Sequence, residues 1–231
     1  AIVLQDDRFE TIAAAVEEGR VIYDNIRKFV FYLFSCNLAE VLLLLAAGVA
    51  GLPLPLLPLQ ILWLNIVTDT FPALALAMEP GDADVMRRTP LRPDDAILSR
   101  DFVSKIFFYG VLIAAAALGA FLWALRNSSP HATSIGFMTL ALAQIFHLTT
   151  ARQATSSERS AAGSTNPYAV GAAALSVGLQ LIALYVTPIA RVLQVAAPTL
   201  TEWLIIIGLA GVPALVGQVI GLRSRVMLFP A

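Results

Sequence analysis

Cysteine and histidine are almost missing from these 231 residues, with Cys36 alone and only His131 and His147 beside it. A single cysteine excludes an intrachain disulfide, and inside an apolar run it reads as inert packing. Charge is scarce too. Only 13% of residues are Asp, Glu, Lys or Arg, where an ordinary soluble domain carries about 25%. No Lys or Arg lies deep in any of the long apolar runs. Internal repeats are not evident, which gives an inverted-repeat transporter no support. No secretory signal is visible, and the chain opens on Ala1-Ile2-Val3-Leu4 without an initiator Met, reading as the end of something longer.

What fills the chain is apolar. Hydrophobic residues make up 58% and mean hydropathy is +0.77. Six stretches, near 29–50, 59–78, 102–125, 133–151, 168–187 and 201–222, are long enough to cross a bilayer; about 30 Å of hydrocarbon needs roughly 20 helical residues. The expected fold class is all-α, a polytopic membrane helix bundle of six transmembrane helices. An even number of crossings puts both termini on one side. Thirteen of the fifteen basic residues, including Arg20, Lys28, Arg88, Arg100, Arg152 and Arg225, fall on one face, against Arg126 and Arg191 on the other. The positive-inside rule makes the first face cytoplasmic. An integral protein of the cell (plasma) membrane with cytoplasmic termini follows, its lipid partner the bilayer itself.

The first 28 residues differ in kind. Phe9, Ile12, Val16, Ile22 and Ile26 recur at near-helical spacing among Glu10, Glu17, Glu18, Arg20 and Arg27. This predicts a helix that starts near Asp7–Phe9 and runs straight into the first span as a cytoplasmic stalk. Residues 79–101 hold Pro80, Pro90 and Pro93 among Asp and Arg, a composition that favours turns. Residues 152–167, rich in Ser, read as a plain flexible linker.

Chemistry is concentrated in two short segments, Asn37-Leu38-Ala39-Glu40 and Asn65-Ile66-Val67-Thr68-Asp69. Each puts an acid inside an apparent span, where an ionised group costs roughly +2.5 to +3.5 kcal/mol on insertion scales and therefore faces a polar cavity or pathway. Asn37 and Glu40 share a helix face, as do Asn65, Thr68 and Asp69. Their hard oxygen donors suit Ca²⁺, Mg²⁺, Mn²⁺ or alkali ions rather than Zn²⁺ or Cu⁺. Two carboxylates balance one divalent ion. Pro58, Thr70 and Pro72 predict a locally irregular second span with carbonyls freed at membrane depth, tolerated where they line a cavity or bind an ion. Gln144 in the fourth span is either a further donor or an interhelical hydrogen bond. His147 reads as packing, Gln180 and Gln218 as bundle contacts, and Trp63, Trp123, Tyr168, Tyr185 and Trp203 as interfacial or packed aromatics.

At these residues a family resemblance enters. Asp6-Asp7-Arg8-Phe9-Glu10-Thr11-Ile12, Val16-Glu17-Glu18-Gly19-Arg20 and Ile26-Arg27-Lys28-Phe29 resemble the junction of the phosphorylation domain with the fifth membrane helix of P-type ATPases. Leu62-Trp63-Leu64-Asn65-Ile66-Val67-Thr68-Asp69-Thr70 resembles the sixth helix of the calcium-pump (type II) branch, and Val85-Met86-Arg87-Arg88 through Ile97-Leu98-Ser99-Arg100 its loop between helices six and seven. The likeness is dense over about residues 1–105 and then rests on span count and the Gln144 segment.

The resemblance implies an ATP-driven cation pump whose helices five to ten are present here. It implies residues 1–28 as the end of the phosphorylation domain and stalk, 29–225 as the transport domain, and 226–231 as a short tail. Asn37 and Glu40 match fifth-helix ligands, and Asn65, Thr68 and Asp69 sixth-helix ligands. Gln144 stands where the sarcoplasmic-reticulum type has Glu, and where plasma-membrane calcium pumps and sodium pumps have Gln. Glu40 stands where single-site calcium pumps have a small residue, so stoichiometry stays open. Asn65, in place of the Asp typical of sodium and proton–potassium pumps, favours Ca²⁺. The chain holds no Asp-Lys-Thr-Gly-Thr phosphorylation motif, nucleotide-binding domain or actuator Thr-Gly-Glu, so ATP and Mg²⁺ enter only through upstream actuator, phosphorylation and nucleotide-binding domains, with helices one to four as further partners. The competing readings are a Na⁺/K⁺ or Mn²⁺ pump of the same family, a channel or secondary carrier using Glu40 and Asp69 as proton sites, and a non-transporting remnant.

Overall fold

The computed structural model describes residues 8–89, 98–153 and 166–227. Its first helix, α1 (Phe9–Val49), runs 41 residues without interruption, a length of about 62 Å at 1.5 Å per residue. That is twice the hydrocarbon thickness of about 30 Å. No proline falls inside it, and it stops at Gly51, whose φ of 65° is left-handed. Leu52 N–H then donates to Ala47 O at 2.9 Å, closing the end as a glycine-dependent cap.

The second crossing is built in three pieces: α2 (Pro58–Leu64), a π-helical segment (Asn65–Asp69) and α3 (Thr70–Ala77). A 3₁₀ turn, Val85–Arg87, follows. The remaining helices are α4 (Arg100–Arg126), α5 (Ala132–Gln153), α6 (Pro167–Tyr185), the short α7 (Thr187–Leu193) and α8 (Leu200–Met227). Six of the crossings are long and apolar enough for a membrane, and among the described residues there is no strand. The fifth span, expected to reach residue 187, instead ends at Tyr185, and α7 begins with Pro188 in its first turn. Proline has no N–H to continue α6 and its ring clashes with the carbonyl four residues back.

Helix α5 is the centre. Its membrane-length window is 83% buried, against 17% for α8, so α5 is packed on nearly all sides while α8 presents most of its surface outward. One apolar cluster joins Phe121, Phe137, Met138 and Leu140 to Leu43, Leu56 and Leu64. A second joins Phe31 and Tyr32 to Leu76, Phe102, Ile106, Tyr109 and Leu148. Helix α4 lies close against α1 at Gly110, where a Cβ would sit 2.9 Å from Leu38 Cδ2.

Outside these clusters, the N-terminal part of α1 holds the chain that follows α3. Arg20 donates to the carbonyls of Val85 and Arg88, both at 2.9 Å. Arg88 pairs with Asp24 at 2.7 Å and with Asp82. Burial alone would lower the Arg88 pKa, but the carboxylates of Asp24, Asp82 and Asp84 outweigh it and raise it. The arginine is a fixed positive strut.

Candidate cation site

Pro72 explains why the second crossing breaks where it does. A proline inside a helix has no N–H to bond the carbonyl four residues back and pushes that carbonyl aside; here the displaced group is Thr68 C=O. The turn widens into the π-helical segment Asn65–Asp69, a form found mostly as single bulges, frequently at functional sites. The loosened carbonyls are caught by neighbours. Tyr32 Oη donates to Thr68 O at 2.6 Å, and Ser176 Oγ donates to Val67 O at 3.0 Å. Sequence reading passed over both residues, since an interior Tyr or Ser carries no pattern of its own. Tyr32→Phe leaves the Thr68 carbonyl unpaired in a fully buried place; the expected loss is about 1–3 kcal/mol, read as a lower unfolding temperature in detergent.

Around this break, five of the six expected site residues fall into two hydrogen-bonded sets. Gln144 of α5, with no exposed surface, donates from Nε2 to Glu40 Oε1 at 2.9 Å. Thr68 Oγ1 lies 2.8 Å from both Gln144 Oε1 and Leu64 O. Its hydroxyl has one proton for two acceptors, so one oxygen of the pair stays available. The second set is Asn37 Nδ2 donating to Asp69 Oδ2 at 2.9 Å, with Asp69 Oδ1 buried and unpartnered. Asn65 joins neither set. Its Oδ1 is buried without a partner.

The electrostatics are unbalanced. Glu40 and Asp69 are 4% and 9% exposed, and among the described residues no ion pair reaches either. A buried carboxylate is normally paired or coordinates a metal. What surrounds these two is an excess of oxygen acceptors: two carboxylates, the orphaned Asn65 and Asp69 oxygens, and the Thr68/Gln144 pair. That donor set fits a hard cation. A groove of about 580 Å³ between α1 and α3, lined by Leu33, Asn37, Asp69, Ala73 and Leu74 among others, opens directly onto the Asn37–Asp69 pair.

The other polar residues in the spans divide. His147 is fully buried among Phe31, Tyr32 and Tyr109, ring centroids 5.3, 6.1 and 5.0 Å away, with neither nitrogen hydrogen-bonded. Gln180 is equally buried, the bundle contact expected of it, and neither end of its amide has a hydrogen-bond partner. Cys36 is fully buried, as packing requires.

Residues 53–222 match the family described as cation transporting ATPase, C-terminus. The chain belongs to the cation-transporting ATPases. It is 40% identical over 220 residues to a calcium-transporting ATPase of Bacillus subtilis (strain 168), an alignment covering 92% of this chain and 24% of that protein. It is 35% identical over 242 residues to calcium-transporting ATPase 1 of Bacillus cereus (strain ATCC 10987 / NRS 248), covering 97% of this chain and 27% of the relative. The chain thus spans about a quarter of the length of these curated relatives, and it is an integral membrane segment of six crossings.

Proposed function

We propose that this chain is the ion-binding membrane domain of an ATP-driven pump and that its transported substrate is Ca²⁺. The observation that carries the reading is the pair of buried, unneutralised carboxylates, Glu40 and Asp69, brought from two helices to one helix break. Asn37, Glu40, Asn65, Thr68 and Asp69 are the proposed ligands, with Gln144 supplying either its own oxygen or the bond that holds Glu40. Ca²⁺ takes six to eight oxygens; carbonyls near the π-helical segment and donors from the remainder of the pump supply those missing here. The ion is favoured over Na⁺ or Mn²⁺ by the likeness to two calcium-transporting ATPases and by Asn65.

In this reading, residues 1–28 are the stalk and its junction with a phosphorylation domain, and both termini are cytoplasmic in the cell membrane. ATP and Mg²⁺ act in upstream domains. The exposed side chains of Phe9, Ile12, Val16 and Ile22 on α1 lie where such a domain would cover them. The groove over Asp69 is the place for one of the first four membrane helices. A continuous α1 then serves as a rigid lever from the phosphorylated domain to Asn37 and Glu40.

The test uses the full-length protein, labelled ATP and acid quench, with and without micromolar Ca²⁺. A phosphoenzyme that appears only with Ca²⁺ supports the reading. Activation by Na⁺ or Mn²⁺ alone keeps the pump and corrects the ion; no cation-dependent phosphoenzyme rejects both.

A further inference from the structure

Away from the carboxylates of the site, the lower end of α3 is tied by a second buried polar cluster that the function above does not use. Glu79 is 7% exposed and takes a bidentate grip from Arg152 of α5, with Nε 3.0 and 3.1 Å from the two oxygens and Nη2 at 2.8 Å. Asn166, fully buried at the N-cap of α6, donates to Glu79 Oε2 at 2.6 Å and to Ala75 O at 3.0 Å. From the other side, Asn25 of α1 donates to Glu79 O at 2.7 Å and Ala77 O at 3.3 Å. The last carbonyls of α3 are therefore capped by side chains of two other helices.

We propose that Glu79, Arg152 and Asn166 are positioning residues for the cation site, fixing the rotation of α3 and hence the placement of Asp69 and Thr68. The proposal rests on the pump reading for its functional consequence. The argument begins at the helix break. Through a regular helix, the orientation of α2 would fix that of α3; at the π-helical segment Asn65–Asp69 the regular ladder is interrupted, so α3 needs tertiary restraints. Helices α1 and α5 each supply two. Helix α5 holds the crossing at Gln144–Thr68 and, eight residues on, at Arg152–Glu79, a separation of about 12 Å along the helix. Helix α1 holds it at Asn37–Asp69 and, twelve residues earlier, at Asn25, about 18 Å away. Two helices gripping a third at two levels each leave it no free rotation.

A stability role explains the cluster less well. With Glu79 buried and the Arg152 side chain 24% exposed, the pair gains little over well-packed apolar residues, because desolvation of the carboxylate offsets the attraction. What it supplies is geometry, and a bidentate arginine fixes both direction and distance. Because Asn25 belongs to the same helix as Asn37, a shift of α1 moves both grips on the crossing together. Asn25 thus couples the end of α3 to α1, while Arg152 and Asn166 hold it to α5 and α6.

The test uses the full-length pump with Arg152→Lys, Asn166→Ala and the paired change Glu79→Gln with Arg152→Gln, which leaves no lone buried charge. The expected result is a roughly tenfold rise in the cation concentration that half-activates phosphorylation, the low end of what loosening the support of a metal ligand costs, here transmitted through α3 rather than by direct contact. Maximal phosphoenzyme per folded protein should stay near that of the unmodified pump. A purely structural role would lower yield or unfolding temperature and leave half-activation where it was; that result, in any variant that reaches the membrane, overturns the proposal. Hydrogen exchange of residues 65–79 in detergent gives a readout that needs no cation. Faster exchange there, with α4 and α5 unchanged, supports the clamp even should the pump reading fail, and unchanged exchange sinks the clamp even should the pump reading hold.

Discussion

Asp69→Asn is expected to raise the Ca²⁺ concentration that half-activates the full-length pump about 100-fold, or to abolish activation within the accessible range. Two decades correspond to about 2.8 kcal/mol at 1.4 kcal/mol per decade. The change is nearly isosteric, and the new side-chain carbonyl can still accept the hydrogen bond that Asn37 donates to Asp69 now. Only the charge is lost, leaving Glu40 as the sole carboxylate against a divalent ion. In the absence of cation the sign reverses. Asp69 is 9% exposed with one oxygen unpartnered, and an unpaired buried charge is costly. The Asn variant should therefore unfold at a higher temperature in chelator than the unmodified protein. An affinity loss together with a stability gain identifies a ligand, whereas a packing residue would lose both. Phosphoenzyme titration and thermal unfolding in detergent, each with and without Ca²⁺, read the two signs.

Gln144→Leu should damage both states. Leucine is of similar volume but donates nothing, so Glu40, 4% exposed, loses the partner at 2.9 Å that stabilises its carboxylate. Hydrogen bonds to charged groups contribute about 1.5–3 kcal/mol, and an orphaned buried group costs at least as much. Unfolding without cation should move down by that amount. If Glu40 is a ligand as proposed, the half-activating Ca²⁺ concentration should rise roughly 10–100-fold, since Gln144 donates to its carboxylate. Unaltered activation in this variant, with the fold intact, would remove Gln144 from the site.

Much of this was readable in the sequence because the membrane makes the physics one-dimensional. A chain with 58% hydrophobic residues and six runs of spanning length has few options, since every backbone group in lipid must be bonded within its own helix or a closed barrel. Acids inside such runs stand out for the same reason. Glu40 and Asp69 were legible as candidate site residues because an ionisable group inside a span is costly unless it faces a polar cavity or pathway. Pro72 announced the irregular crossing, although not that it takes π-helical form.

Other features could not be read this way. The stretch 152–167 looked like a flexible linker. Its described ends, Arg152 and Asn166, instead close on Glu79 in one buried cluster; residues 154–165 lie outside the described region. Glu79 looked like the first residue of a loop. Gln180 looked like a bundle contact and is buried as one, yet its amide makes no hydrogen bond. In each case the outcome depends on what a distant helix places opposite the side chain, which no local spacing contains.

The sequence by itself determined the fold class, the six crossings, the long first helix and the membrane-embedded acids, because hydropathy, proline chemistry and the cost of buried charge act along the chain. Only the tertiary structure decided which polar groups meet. It joined Glu40 to Gln144 and Asp69 to Asn37, left the Asn65 oxygen free, gave the Thr68 carbonyl to Tyr32, and tied α3 to three other helices through Glu79 and its neighbours. Those are contacts between residues 32 to 108 positions apart or more, fixed by helix packing and by the requirement that buried donors and acceptors find partners.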